Sequence, residues 1–192
     1  MTELAPVEPV ASSGRSRRRT TLVWVERVVT AGLFLFVAYR LAPQFGALTG
    51  IGPDLGRTPE FSFVSLEGDT VRSLELRGDV IVLNFWATWC LPCRAEMPSL
   101  QSLHEDRAED GVRVVGLATD VGSEAPIREF LDERDISYPI GRATAPIRRA
   151  FGGIPGIPTT FVIDRDGVVR HRVVGYFAPP ALRASVARLL QE

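Results

Sequence analysis

The apolar run Val80–Trp86 is followed, after three further residues, by Cys90, and Cys93 is the second and last cysteine of the chain. A continuous apolar run of this length is typical of a strand that is buried on both faces. Because there is no other thiol, the chain cannot be a scaffold held together by several disulfides. Cysteines three positions apart at the start of a helix share one face and lie close enough to form a disulfide. The pair therefore either binds a ligand or cycles between dithiol and disulfide.

Length, composition and charge limit the class of protein. A chain of 192 residues suggests one domain with appendages, and a hydrophobic content of 45% is ample for a core. All 22 basic residues are arginine, which excludes catalysis by a lysine amine. Residues 1–52 carry 6 Arg against 3 acidic residues, whereas residues 53–192 carry 16 Arg against 20 acidic residues. The main body is mildly acidic, so its charge does not indicate a nucleic-acid-binding surface.

The N-terminal part reads as a membrane anchor with a linker. We expect a basic cytoplasmic tail over residues 1–20, a single transmembrane helix over 21–42, a flexible Gly- and Pro-rich tether over 43–57 and a folded domain over 58–192. Four arginines precede the apolar stretch, which predicts a cytoplasmic N-terminus. The C-terminal domain would then be extracytoplasmic, in a protein that crosses the cell membrane once.

Two alternatives to an uncleaved anchor remain open. The uninterrupted apolar part, Val28–Tyr39, has only 12 residues, which suits a cleaved signal peptide, although no clean A-x-A site follows. A soluble protein with an apolar amphipathic helix is the second alternative. A twin-arginine export signal at Ser16-Arg17-Arg18 is a weak match.

The remainder alternates between strand and helix patterns. Residues 61–71 predict a hairpin because Phe61–Leu66 alternates with period two before a Glu67-Gly68-Asp69 turn. A helix is expected from Cys90 to Arg107, kinked at Pro98. Further expected strands are Val112–Ala118, Thr159–Asp164 and Val168–Val174, and further expected helices run from an N-cap at Ser123 to Arg134, over Ala145–Phe151, and from Pro179 onwards. This order predicts an α/β fold with a central mixed sheet covered by helices.

Two segments carry a resemblance to a known family. Val80–Pro98 (VIVLNFWATWCLPCRAEMP) and Gly156–Asp164 (GIPTTFVID) resemble the membrane-anchored thiol:disulfide oxidoreductases of the TlpA/ResA/DsbE type. The resemblance covers about residues 58–190. It implies an enzyme with a thioredoxin-like fold, in which a central mixed β-sheet is flanked by helices, with an N-terminal β-hairpin and a preceding single transmembrane helix.

Individual positions refine the resemblance. Asn84 stands where cytoplasmic thioredoxins carry a buried aspartate, and Glu96 matches the glutamate of the anchored family. Both favour the extracytoplasmic branch. The dipeptide Leu91-Pro92 is neither the Gly-Pro of thioredoxins nor the Glu-Pro of the ResA subset, so it leaves the redox potential and the partner open.

The predicted site consists of six residues. Cys90, as thiolate at a helix N-terminus, would attack a substrate disulfide, and Cys93 would then release the reduced substrate. Glu96 would take or return the proton of Cys93, unless it is an ordinary surface glutamate. Pro158 matches the cis-proline of the family, so the Ile157 backbone would pair with an incoming peptide; the alternative is a simple turn proline. Trp89 would cover the disulfide and dock substrate, while Trp86 would belong to the core.

The resemblance implies a function and partners. The family most often reduces protein disulfides outside the cytoplasm, for example during apocytochrome c maturation, and needs a membrane electron donor of the CcdA/DsbD type. No cofactor is implied, and no metal is expected because His104 and His171 lack zinc-ligand spacing. The rivals are a thiol peroxidase, whose Pro-x-x-x-Thr-x-x-Cys pattern is not matched, a copper chaperone, and a redox-sensing binding module.

Overall fold

The computed structural model describes residues 15–49 and 55–192, and within the first range it describes side chains for residues 24–39 and 41–42. Helix α1 runs from Arg15 to Thr49. Within the described residues, none of the helices combines the length and the apolar character that crossing a bilayer requires. The expected span over 21–42 also draws on residues 21–23 and Arg40, whose side chains lie outside that description. Residues 1–14 of the expected tail are outside it entirely.

The structure describes both ends of the expected tether. Helix α1 continues to Thr49, and residues 50–54 lie outside the described part of the chain. From Leu55 the backbone is hydrogen-bonded into the domain: the Leu55 N–H donates to the Val169 carbonyl at 3.0 Å and the Thr58 N–H to the Gly167 carbonyl at 2.8 Å. Hydrogen bonds to the folded domain are therefore present from Leu55, within the expected tether.

The domain consists of a two-stranded hairpin and a five-stranded mixed sheet with helices on both faces. The sheet order is β5-β4-β3-β6-β7, with β3, β4 and β5 parallel and with β6 antiparallel to both of its neighbours. The elements in chain order are β1 (Ser62–Val64), β2 (Thr70–Arg72), β3 (Val80–Trp86), α2 (Leu91–Arg107), β4 (Val112–Ala118), α3 (Ala125–Asp132), β5 (Ile140–Arg142), α4 (Ala145–Ala150), β6 (Thr159–Ile163), β7 (Val169–Val174) and α5 (Pro179–Leu189).

Two hydrophobic layers cover the two faces of the sheet. Every residue of β3 is buried, as its continuous apolar run predicts. Because side chains alternate along a strand, Val82 and Trp86 pack with α2 and α5 on one face, while Leu83 and Phe85 pack against the opposite layer. That opposite layer includes Phe61 and Phe63 of the hairpin region and Ile147 of α4. The predicted mixed sheet, flanking helices and N-terminal hairpin are confirmed.

Two elements differ from the sequence expectation. Strand β5 was not expected, because three residues with a central glycine carry no strand pattern. The glycine, Gly141, lies against the Phe63 ring, and a Cβ at this position would come within 2.0 Å of that ring. The expected N-cap at Ser123 is wrong, since α3 begins at Ala125 after Glu124 and no side chain caps it. A proline in the first turn presets the helical backbone there, which makes the start independent of a capping side chain.

One end of the sheet gathers the segments that carry the predicted site. Trp86 pairs with Ala118, Phe85 pairs with Thr159, and Thr159 pairs with Val174. The carboxyl ends of β3, β4 and β7 therefore meet the amino end of β6. Loops that leave or enter the sheet at this edge are brought together from distant parts of the sequence, in the position where α/β sheets commonly bind ligands.

Candidate active site

Cys90 and Cys93 form a disulfide at the start of α2. Their Cα atoms are 5.2 Å apart, and Cys90 is the N-cap residue, with φ −84° and ψ 103°. The Cys90 Sγ accepts a hydrogen bond from the Cys93 N–H at 3.3 Å. Helix N-termini present unpaired N–H groups and a positive dipole end, so this position favours the thiolate of Cys90 when the pair is reduced.

The two sulfur-bearing residues differ in exposure, and the residues beside them are far more open. Cys93 is 1% exposed and Cys90 is 5% exposed, whereas Trp89 and Leu91 are exposed to 71% and 74%. Trp86, by contrast, is fully buried and packs against Phe130 at 5.4 Å between ring centroids, which confirms its predicted place in the core. The disulfide thus lies at a surface where the neighbouring apolar side chains are open to a partner.

Glu96 is completely buried behind the disulfide, on the turn of α2 that follows Cys93. Its Oε1 accepts hydrogen bonds from the Thr160 hydroxyl at 2.9 Å and from Asn84 Nδ2 at 3.4 Å, and its Oε2 accepts one from the Phe177 N–H at 3.1 Å. Burial raises the pKa of Glu96 from 4.5 to about 7, although the bonds from Phe177 and Thr160 act in the opposite direction. The carboxyl group therefore exchanges a proton near neutral pH.

The partners of Glu96 give a structural reason for Asn84, which the sequence marked only as a difference from cytoplasmic thioredoxins. The Asn84 amide donates to both Glu96 and the Thr160 hydroxyl, the latter at 2.9 Å. Sequence reasoning did not single out Thr160 or the Phe177 backbone. The only signal for Thr160 is a polar side chain in β6, a strand whose five residues are all buried.

The Ile157–Pro158 segment enters the same edge of the sheet through β6. The Ile157–Pro158 peptide bond is cis, Pro158 is buried and Ile157 is half-buried. The Pro158 carbonyl accepts a hydrogen bond from the Gly175 N–H at 2.7 Å, which ties this segment to the end of β7. The substrate-binding roles expected for Trp89, Ile157 and Pro158 stay predictions.

The two histidines lie apart from the disulfide. The His104 ring on α2 packs edge-on against the Tyr138 ring, with 6.2 Å between the ring centroids. His171 lies within β7. Burial lowers the pKa of both imidazoles. Among the described side chains, no group of three or more His, Cys, Asp or Glu residues is arranged to hold a metal ion.

Comparison with known proteins agrees with this geometry. The model of the AhpC/TSA family matches residues 56–172. The thiol-disulfide oxidoreductase ResA of Bacillus cereus (strain ZK / E33L) is 32% identical over 117 residues, which cover 61% of this chain and 67% of ResA. The chain belongs to the AhpC/TSA family, among its TlpA/ResA/DsbE-type oxidoreductases. It is a thiol-disulfide oxidoreductase.

Two further proteins support this membership and the fold. The thioredoxin-like protein YneN of Bacillus subtilis (strain 168) is 34% identical over 120 residues, covering 62% of this chain and 70% of YneN. The solved structure of a thiol:disulfide interchange protein of the thioredoxin family from Chlorobium tepidum TLS superposes with a TM-score of 0.66 at 35% identity, covering 70% of this chain and 96% of that protein. The expected thioredoxin-like fold is confirmed.

Proposed function

We propose that this oxidoreductase reduces protein disulfides in an extracytoplasmic compartment through the Cys90–Cys93 pair. The observation that carries the proposal is the disulfide at the N-terminus of α2, with Cys90 as the N-cap and a buried carboxyl group, Glu96, behind it. The N-terminal position supports Cys90 as the attacking residue, because the thiolate is the nucleophile and the helix end favours it.

The reaction proceeds in two exchanges of one disulfide bond. In the reduced enzyme, the Cys90 thiolate attacks one sulfur of the substrate disulfide; a Cys90–substrate bond forms, the substrate disulfide breaks, and the leaving thiolate takes up a proton. Cys93 then loses its proton and attacks Cys90 Sγ, which forms the enzyme disulfide and releases the second substrate thiol. Two electrons pass to the substrate, and a dithiol donor must return them.

Glu96 is the proposed acceptor of the Cys93 proton. A group with a pKa of about 7 is half-ionised near neutral pH, so it can take a proton from a buried thiol and return it in the reverse step. Glu96 lies three residues after Cys93 on the same helix, which places both on one face. The hydrogen bonds from Thr160 and Phe177 fix the position of the carboxyl group in the oxidised protein.

The proposed substrates are polypeptides, apocytochrome c among them, and the proposed donor is a membrane dithiol protein of the CcdA/DsbD type. The exposed side chains of Trp89 and Leu91 suit a partner that brings apolar residues to the disulfide. The backbone of Ile157, beside Pro158, would pair with the substrate chain. The resemblance to the TlpA/ResA/DsbE-type proteins supports both partners.

An enzymatic assay with the full chain in mild detergent tests the direction and the substrate class. We expect dithiothreitol-driven reduction of insulin disulfides and a strongly negative potential for the Cys90–Cys93 pair, measured by equilibration with glutathione or dithiothreitol buffers. Oxidation of reduced proteins at a higher rate than reduction of oxidised ones, together with a potential near that of strong oxidants, would reverse the direction.

The thiol peroxidase alternative is tested in the same preparation by peroxide consumption. The threonine of the peroxidase pattern would occupy position 87, which is a buried alanine, and the neighbouring Thr88 hydroxyl donates to Asp120 at 2.5 Å. The hydroxyl is therefore engaged within the protein. Hydrogen peroxide consumed faster than insulin disulfides would favour the peroxidase.

The proposed location rests on the N-terminal segment. Arginines precede the apolar stretch, and the described apolar side chains of α1, from Trp24 to Leu41, are exposed in the isolated chain. We expect the full chain to stay in the membrane fraction after alkaline carbonate extraction, and its C-terminal domain to be digested by protease added from the extracytoplasmic side. Release by carbonate would contradict an integral anchor.

A further inference from the structure

Asp120, in the loop after β4, binds the segment that leads into the disulfide. Both of its carboxylate oxygens lie 3.2 Å from the Thr88 N–H, and Oδ1 also accepts a hydrogen bond from the Thr88 hydroxyl at 2.5 Å. Thr88 lies two residues before Cys90. A single side chain from a distant part of the sequence thus satisfies both donors of Thr88, with hydrogen bonds to a charged acceptor, which are stronger than neutral ones.

The neighbours of Asp120 extend this attachment on both sides. The N–H and the hydroxyl of Thr119 both donate to the Trp86 carbonyl, at 2.8 Å and 2.9 Å. On the other side, Arg142 Nη2 donates to the Asp120 carbonyl at 2.7 Å. The ends of three parallel strands, β3, β4 and β5, are therefore connected at the edge where the disulfide lies.

We propose that Asp120 is a positioning residue that holds Cys90 at the N-cap of α2. The inference deepens the proposed function, on which its catalytic meaning rests. The Cys90 backbone N–H donates to the Ala87 carbonyl at 3.1 Å, so residues 87–90 form one short turn, which Asp120 binds at Thr88. Trp89 is mostly exposed and adds little packing to fix that turn.

The position of Cys90 matters because the effect of a helix N-terminus on charge falls off within the first turn. A turn 87–90 that is free to shift would carry the Cys90 sulfur away from the N–H groups at the start of α2, and its thiolate would lose stabilisation. A competing effect is the charge of Asp120, since a nearby carboxylate disfavours a thiolate. The two effects have opposite signs and can be separated by substitution.

The test measures the reactivity of Cys90 in the full chain, in a Cys93→Ser background where Cys90 is the only thiol. Rates of alkylation by iodoacetamide are recorded from pH 4 to 10 for Asp120→Ala, Asp120→Asn and Thr88→Val. Thr88→Ser keeps both donors, and Asp69→Ala, in the exposed turn between β1 and β2, is the matched control for loss of a carboxylate. Urea denaturation shows whether each variant is folded and how stable it is.

We expect the midpoint of the pH profile to move upward in Asp120→Ala by about one pH unit, with an alkylation rate below the midpoint that falls about threefold. The rate falls by less than the thiolate population because a more basic thiolate is a better nucleophile. The midpoint for Asp120→Asn should lie closer to that of the Cys93→Ser parent, since the amide oxygen still accepts a hydrogen bond. The midpoints for Thr88→Ser and Asp69→Ala should equal that of the parent.

Other results would overturn the inference. A profile unchanged in both Asp120→Ala and Asp120→Asn, or one that moves downward equally in the two variants, would remove the positioning role; the latter would leave only a through-space charge effect. If Asp120→Ala does not fold, the pH profile of Thr88→Val decides between the two results, because this substitution removes only the hydroxyl donor. Alkylation requires no protein substrate, so a chain that fails to reduce insulin but shows the upward shift would disprove the proposed function and not this inference.

Discussion

The Cys93→Ser variant should accumulate a covalent adduct with its protein substrate, linked through Cys90. The first exchange forms a Cys90–substrate disulfide, and a serine hydroxyl at position 93 cannot attack it to release the product. Because the chain has only two cysteines, any disulfide-linked adduct of this variant must involve Cys90. The adduct is detected on non-reducing gels, disappears with dithiothreitol, and is assigned to Cys90 by mass spectrometry of the linked peptides.

The matched control is Cys90→Ser, which keeps Cys93 and removes the proposed nucleophile. Insulin reduction should fall by at least about a thousandfold, since a nucleophile is removed outright. Its adduct yield should also be low, because the remaining sulfur at position 93 is 1% exposed. Equal adduct yields from the two variants would refute the assigned order of attack, and an active Cys90→Ser protein would refute the mechanism itself.

The stability of the oxidised protein should decrease between about pH 4.5 and pH 7 because of Glu96. Its pKa is raised from 4.5 to about 7 in the folded state, so the folded protein holds a proton in this range that the unfolded chain releases. The unfolded state then binds fewer protons, and the free energy of unfolding falls as the pH rises. A difference of this size corresponds to a loss on the order of 3 kcal/mol by pH 8.

Urea denaturation of the wild type and of Glu96→Gln, at pH 5 and at pH 8, isolates this contribution. Glutamine does not titrate, so the difference in unfolding free energy between the two proteins should shift in favour of Glu96→Gln as the pH rises. Glu129→Gln, on the exposed face of α3, makes the same chemical change and should follow the wild type at both pH values. Parallel pH dependence of Glu96→Gln and the wild type would show that the carboxyl group does not titrate in this range.

The Glu96→Gln substitution should also change the kinetics of the reaction. If Glu96 accepts the proton of Cys93, turnover of Glu96→Gln should be slower, and the inflection near pH 7 in its pH–rate profile should be lost. Recording the profile in parallel with the denaturation series separates a folding effect from a proton-transfer effect, since only the latter changes the shape of the profile.

Local sequence patterns predicted most of the helices and strands. The run Val80–Trp86 predicted a strand buried on both faces, and every one of its residues is buried. Strand β5 could not be predicted in this way, because its pairing is decided by β4 and by the Phe63 ring that fills the space over Gly141. The start of α3 was misplaced because a serine that can cap a helix precedes a proline that makes the cap unnecessary.

Apart from Ile157 and Pro158, which came from the family resemblance, the site was predictable only where its residues are close in sequence. The spacing of Cys90, Cys93 and Glu96 on one helix fixes their common face in advance. The groups that bind Glu96 come from much further along the chain. Thr160 is 64 positions and Phe177 is 81 positions from Glu96. Asp120 is 32 positions from Thr88. Such contacts depend on how the strands align in the sheet, which no local pattern encodes.

The hydrogen bonds of Leu55 and Thr58 to the β6–β7 hairpin decide from which side the domain is connected to what precedes it. Gly167 lies at the turn of that hairpin, beyond the Ile81–Ile163 pair, whereas the disulfide lies beyond the Trp86–Ala118 pair. The described chain thus enters the domain at the end of the sheet opposite the disulfide. Within residues 55–192, the exposed side chains of Trp89 and Leu91 leave the disulfide end of the sheet accessible to a partner, on the side away from this point of entry.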